Sequence, residues 1–177
     1  MNPATRLRYV EVAEPDMHAP TGDLERLGDA LRDAWGVEEI AIDLPVLTRL
    51  QPALRKGNWT VTVALFRDHN GGPHQVLDVW PGFYEGALYG LAIDLGSTTI
   101  AANLADLSDA RILASTGMMN PQIRFGEDLM SRVSYSMMNP GGAAEMTAAV
   151  RDALGQLATE IAAEAAIDPR LIVEATI

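Results

Sequence analysis

The residues from 94 to 99 are of the types that bind phosphate and magnesium. Asp94 closes an apolar run and is soon followed by a glycine and three hydroxyl residues, Gly96, Ser97, Thr98 and Thr99. The glycine allows a sharp turn, after which the backbone N–H groups of residues 96–98 can point at a phosphate. Asp94 at the strand end could hold Mg²⁺ through water, because Mg²⁺ keeps most of its waters and binds few carboxylates. The stretch therefore predicts a nucleotide-phosphate hairpin.

A plain β-hairpin is the alternative interpretation of this stretch, since aspartate and glycine are ordinary turn formers. The Asp94 carboxylate could likewise be satisfied by turn amides. No lysine follows the glycine as in a Walker A loop, and the G-x-G-x-x-G of dinucleotide-binding folds is absent. Spacing alone leaves both interpretations open.

Composition excludes several kinds of function. The 177 residues suffice for one ordinary domain or two small ones, and 48% hydrophobic residues allow a packed core. The net charge of −11 argues against nucleic acid and anionic membranes as partners, because both attract basic patches. The absence of cysteine excludes disulfides, thiolate metal sites and Cys-ligated iron–sulfur clusters within these residues. No segment approaches the ~20 apolar residues of a membrane helix, so we expect a cytoplasmic protein.

The first half of the chain predicts a linker followed by a small α+β domain. Residues 1–22 are polar, carry three prolines and are predicted to form a linker or extended arm. Residues 23–86 are predicted to contain helices over 23–35 and 44–56 and a hairpin of strands over 59–66 and 75–80. Pro52 is awkward inside the second helix and could shorten it. Solvated positions are predicted for all three histidines, His18, His69 and His74.

The second half, residues 87–177, predicts a meander followed by helices. Antiparallel strands are expected over 89–95, 98–107 and 111–118, a loop over 120–126, helices over 127–137 and 143–166, and a last strand over 171–177. The six methionines between residues 118 and 146 could form a docking surface for a partner protein, but ordinary core packing is the expectation. A complete domain rarely stops within a strand, so we expect a fragment of a longer protein.

The predicted order of elements in the second half resembles the opening of the actin, sugar kinase and heat-shock chaperone superfamily, which has a ribonuclease H-like core. A closer resemblance is to the reductive activators of corrinoid proteins. It rests on Asn120-Pro121-Gln122-Ile123-Arg124-Phe125-Gly126-Glu127-Asp128 with Ser131-Arg132, and on the segment from Asp43 to Val63. The resemblance implies an α+β middle domain over 23–86. The first β-β-β-α-β part of an actin-like ATPase domain would then span 87–177.

The resemblance also implies a function for the parent protein. In that family an N-terminal [2Fe–2S] ferredoxin-like domain supplies an electron. A C-terminal domain couples ATP to the reduction of Co(II) to Co(I) in a corrinoid protein of a methyl-transfer system. The cluster domain is absent from these cysteine-free residues, and the second phosphate loop would lie beyond Ile177. We therefore assign no catalytic residue and expect no turnover by this chain alone.

Site residues carried over from the resemblance are confined to the hairpin and one loop. Asp94 would hold Mg²⁺ through water, and the phosphates of ATP would meet Gly96, Ser97 and Thr98. Thr99 would either join them or begin the next strand. Arg124 would contact a phosphate or a carboxylate of the partner.

Two other functions remain open at this point. One is another actin-like ATPase or kinase, such as a sugar kinase or an activator of acyl-CoA dehydratases, which would use the same hairpin. The other is a non-catalytic interaction or dimerisation module in which residues 23–82 dock. Exposed strands of an incomplete sheet could promote association, so a homodimer is also considered.

Overall fold

The computed structural model describes residues 4–18, 20–68 and 71–177. The chain forms two compact units, Met1–Gly86 and Ala87–Ile177. Each unit contains a four-stranded mixed sheet, and the four α-helices of the described residues are divided equally between the units. The chain is therefore of mixed α and β class, as predicted.

The first unit is a sheet covered by two helices. Its elements are β1 (Thr5–Glu11), α1 (Asp23–Trp35), β2 (Ile40–Ile42), α2 (Leu44–Lys56), β3 (Thr60–Phe66) and β4 (His74–Pro81). The strand order is β1-β3-β4-β2, with β2 parallel to β4 and the other pairs antiparallel. Buried leucines of both helices pack against valines of the sheet, and these core residues include Leu27, Leu31, Leu50, Leu54, Val61, Val63 and Val76.

Three expectations for the first unit were wrong. Strand β1 lies within the predicted linker, because it pairs along its length with β3 and places Val10 in the core. Pro52 does not shorten α2, which continues to its expected end. His74 is half-buried at the start of β4 instead of solvated. His69 and Asn70, part of a predicted turn, lie outside the described residues.

The second unit has the predicted β-β-β-α-β order. Its elements are β5 (Tyr89–Leu95), β6 (Thr99–Asp106), β7 (Ile112–Met119), a 3₁₀ helix (Pro121–Phe125), α3 (Leu129–Met138), α4 (Gly142–Glu164), a second 3₁₀ turn (Pro169–Leu171) and β8 (Ile172–Thr176). Strands β7, β6 and β5 form an antiparallel meander, and β8 lies parallel to β5 at its other side. Helix α4 covers one face, where Leu157 and Ile161 pack with Leu91, Ile100 and Leu104.

Most methionines of this unit lie on its surface, which contradicts the expectation of core packing. Met119, Met130, Met137 and Met138 are each at least 70% exposed. Three of the four lie on α3, which buries only Arg132, and Met119 is the last residue of β7. Within the described residues, no helix has both the length and the apolar character needed to cross a membrane.

Candidate phosphate-binding hairpin

The connection between β5 and β6 is a tight turn with a two-residue tip. The Gly96 N–H donates to the Thr99 carbonyl oxygen at 3.0 Å, so Ser97 and Thr98 form the tip. A Cβ atom on Gly96 would lie 2.8 Å from that oxygen, and only glycine allows this approach. The Gly96 N–H, which we expected to face a phosphate, is therefore committed within the turn.

Three successive carbonyl oxygens of the turn are held by the segment that follows β7. The Gly96 oxygen accepts from Asn120 Nδ2 at 2.8 Å, and the Ser97 oxygen accepts from Arg132 Nη2 at 2.5 Å. The Thr98 oxygen accepts from the Asn120 backbone N–H at 2.8 Å. The turn is thus fixed by hydrogen bonds from one side.

Fixing these carbonyls also fixes the direction of the amides at the tip. In a planar trans peptide the C=O and the following N–H point in opposite directions. Holding the oxygens of residues 96 and 97 therefore directs the N–H groups of Ser97 and Thr98 away from Asn120 and Arg132. In the part of the chain that the structure describes, these two amides have no hydrogen-bond acceptor. Adjacent unpaired amides in a turn are able to bind an anion.

The two side chains that hold the turn are buried and satisfied. Asn120 is 2% exposed and Arg132 is 7% exposed. Asn120 Oδ1 also accepts from the Gln122 N–H at 2.9 Å and so caps the first 3₁₀ helix, while Arg132 Nε donates to the Gly126 carbonyl at 2.9 Å. Buried polar groups are usually paired in this way. From the sequence we had placed Asn120 in a loop over 120–126 and had assigned no individual role to Arg132.

Asp94 lies near the end of β5 on the sheet face opposite α4. Its side chain is exposed. Leu91, three positions earlier in the strand, points to the other face and is buried with residues of α4. Asp94 pairs across the ladder with Ala101, which in turn pairs with Gly117, so small residues surround the carboxylate. Among the described residues, no group of three or more histidine or acidic side chains could form a metal cage. Binding of Mg²⁺ by Asp94 stays a prediction.

Arg124 is in a different setting. Its guanidinium carbon lies 4.7 Å from the centre of the Phe125 ring. Its side chain lines a cavity of about 300 Å³ on the α4 side, together with Met118 and Asp152 and without any hairpin residue. Its contact with a phosphate stays a prediction. Thr99 begins β6, which is the alternative that we had left open for it.

Two family models together cover almost the whole chain. The model described as the RACo linker region matches residues 1–86, and the one described as the RACo middle region matches residues 89–177. The chain belongs to the RACo family. The resemblance to reductive activators of corrinoid proteins is therefore confirmed. The RACo linker region takes in the whole first unit, including the helices and hairpin that we had expected to be a middle domain.

Individual relatives have names that agree with this family. The chain is 31% identical to the corrinoid activation enzyme RamQ of Eubacterium limosum over 86 residues. The matched residues make up 49% of this chain and 14% of that protein. A solved structure of a reductive activator for corrinoid, iron–sulfur protein is similar with a TM-score of 0.75 and 29% identity. That match covers 98% of this chain and 27% of the solved one, so this chain spans a small part of its relatives' length.

Proposed function

We propose that this chain is the linker and middle part of an ATP-dependent reductive activator that restores Co(I) in a corrinoid protein of a methyl-transfer system. Membership of the RACo family and the names of both relatives support this function. ATP would supply free energy for the one-electron reduction of Co(II). The electron would come from a [2Fe–2S] cluster held outside these cysteine-free residues, and the reaction would take place in the cytoplasm. A homodimer stays a prediction.

The hairpin from Asp94 to Thr99 is the part of this chain that would hold the ATP phosphates. The observation that carries this assignment is the pair of outward N–H groups at Ser97 and Thr98, which have no acceptor among the described residues. Both residues are exposed, so their hydroxyl groups can add donors beside the amides. Asp94 would orient the waters around Mg²⁺ from the adjacent end of β5.

The way in which the turn is held favours phosphate binding over a plain hairpin. A two-residue β-hairpin needs only its own cross-strand hydrogen bonds. Here, two buried polar side chains, Asn120 and Arg132, also hold the turn carbonyls. Donors that are already fixed in direction need no reorganisation when an anion binds, and this makes each contact more effective.

The substitution Asp94→Asn in the full-length product of this gene tests this proposal, with reduction of the corrinoid protein as the assay. This substitution removes the charge and keeps the shape of the side chain. We expect ATP-dependent conversion of Co(II) to Co(I), followed by absorbance, to slow by about 10- to 100-fold, as for other groups that orient metal ligands. Glu164→Gln removes the same charge from an exposed position at the end of α4 and should leave the rate unchanged. An unchanged rate in Asp94→Asn would contradict the proposal.

A further inference from the structure

The first unit contains a cavity of about 540 Å³ beside the C-terminal end of α1. Its polar lining is dominated by cations. The charged and aromatic side chains that line it are Arg6, Arg8, Trp35, Arg67, Asp68 and His74. Three arginines thus face one carboxylate in a chain whose net charge is −11. The cavity lining is thus locally positive, whereas the chain as a whole is strongly negative.

The fold brings these residues together from three strands and a helix. The register of β1 on β3 places Arg6 and Arg8 on the sheet face that carries the core. Arg67 directly follows β3, and His74 begins the neighbouring strand β4. Helix α1, whose leucines pack on the core face of the sheet, ends at Trp35. Beyond that residue the helix does not cover the part of the face that carries Arg6 and Arg8. The cavity therefore lies on the same face of the sheet as the core, at the end where the side chains are cationic.

The cations of the cavity influence one another's ionisation. Burial, and then the charge of Arg6, lowers the pKa of Arg8. Burial, and then the charge of Arg67, lowers the pKa of His74, although the hydrogen bond to the Glu39 backbone acts in the opposite direction. Like charges held in one concave site are mutually unfavourable, so an anion that binds there relieves the repulsion.

Two of the arginines have no carboxylate partner within the described ranges. Neither Arg8 nor Arg67 forms a salt bridge there. The Arg8 guanidinium instead stacks over the Trp35 ring, 4.4 Å from its centre. Arg8 Nη1 also donates to the Leu7 carbonyl oxygen at 3.1 Å, so the remaining N–H groups of this guanidinium are the ones that can bind an anion.

We propose that this cavity binds a small phosphate-bearing anion. Guanidinium forks match phosphate oxygens in pairs, and such charge-assisted bonds are among the strongest in proteins. The volume of the cavity is within the usual range of ~300–1,000 Å³ for small-molecule sites. A multiply charged anion such as a pyrophosphate group can neutralise several arginines at once. This site is separate from the hairpin of the second unit and does not depend on its function.

Calorimetric titration of the whole 177-residue chain with inorganic pyrophosphate tests this site. We expect saturable binding that weakens by about tenfold in Arg67→Gln, because one charge-assisted contact is lost. Arg67 is exposed just beyond the end of β3, so the variant should fold, which circular dichroism can check. Lys56→Gln removes the same charge from the exposed end of α2, outside the cavity, and should bind pyrophosphate like the unaltered chain.

Trp35 offers a second readout, because its ring lies in the lining of the cavity. Pyrophosphate should change the tryptophan fluorescence of the unaltered chain, and the change should be lost in Arg8→Gln. The proposal is overturned if pyrophosphate does not bind, or if Arg67→Gln and Lys56→Gln weaken binding equally. It is also overturned if citrate binds as tightly as pyrophosphate with the same dependence on Arg67, since the site would then select carboxylates.

Discussion

Replacing Asn120 with alanine tests whether the phosphate-binding hairpin is held by its buried neighbour. The Asn120 side chain is 2% exposed, donates to the Gly96 carbonyl at 2.8 Å and accepts from the Gln122 N–H at 2.9 Å. Alanine would leave both backbone groups unpaired, at a cost of about 1–3 kcal/mol for each group. Partial relaxation toward water reduces the sum, so we expect a total loss of about 2–4 kcal/mol, or roughly 30- to 900-fold.

Hydrogen exchange measured by mass spectrometry can detect this loss in the β5–β6 ladder. Amides that exchange through opening of the second unit should exchange faster in Asn120→Ala by the factor given above. Asn139→Ala is the matched control, because Asn139 is exposed and the hydrogen bond that its side chain donates, from Nδ2 to the Tyr135 carbonyl oxygen at 2.9 Å, can be replaced by water. We expect the control to change stability by less than about 0.5 kcal/mol. If Asn120→Ala behaves like Asn139→Ala, the reasoning about the held turn is refuted.

Further predictions concern one close backbone approach and one helix cap in the second unit. Gly96→Ala should lower the free energy of unfolding in urea by about 1–3 kcal/mol, because its Cβ would crowd the Thr99 carbonyl oxygen. Gly155 is at an exposed position of α4, and an added Cβ there would have no atom within 4 Å. Gly155→Ala should therefore raise the free energy of unfolding by about 0.5–1 kcal/mol. Asp128 caps α3 by accepting from the Ser131 N–H at 2.7 Å, and this bond lowers the pKa of the carboxyl below its ordinary 3.8. Because the folded-state pKa is depressed, the stabilisation is complete above the ordinary value and is lost as the pH falls through the lowered one. Asp128→Asn, which can still cap but does not titrate, should therefore show a flatter loss of stability in acid, and an unchanged acid profile would contradict this assignment.

Much of the fold could be predicted from hydrophobic periodicity and stop signals. The leucine stripe of α1 ends at Gly36, which adopts a left-handed φ of 66°, and the helix has the predicted bounds. Strand β5 also has the predicted bounds, because an apolar run ends at a glycine turn. Strand β1 was missed because three nearby prolines and several charged residues suggested a linker. Its pairing with β3 is a long-range contact that local composition does not reveal.

The site could be predicted only in part. The Asp94 hairpin is visible in sequence because its chemistry lies in consecutive residues. The roles of Asn120 and Arg132 are not visible, because the groups they bind are main-chain carbonyls, which any residue type supplies. The same limit explains the methionines of α3. Their spacing does not show which helix the sheet will bury, and the structure buries α4.

The central claim is that the Asp94–Thr99 hairpin binds the phosphates of ATP, and a calorimetric titration with Mg-ATP tests it most directly. The titration should be carried out on the 177-residue chain and on the full-length gene product. We predict weak binding or none for the chain alone, because a partial cleft lacks the convergent contacts that a ligand needs. The full-length protein should bind Mg-ATP, and Asp94→Asn should weaken that binding while Glu164→Gln does not. Absence of binding in both proteins, or equal binding by the two variants, would show that the hairpin is only a structural turn.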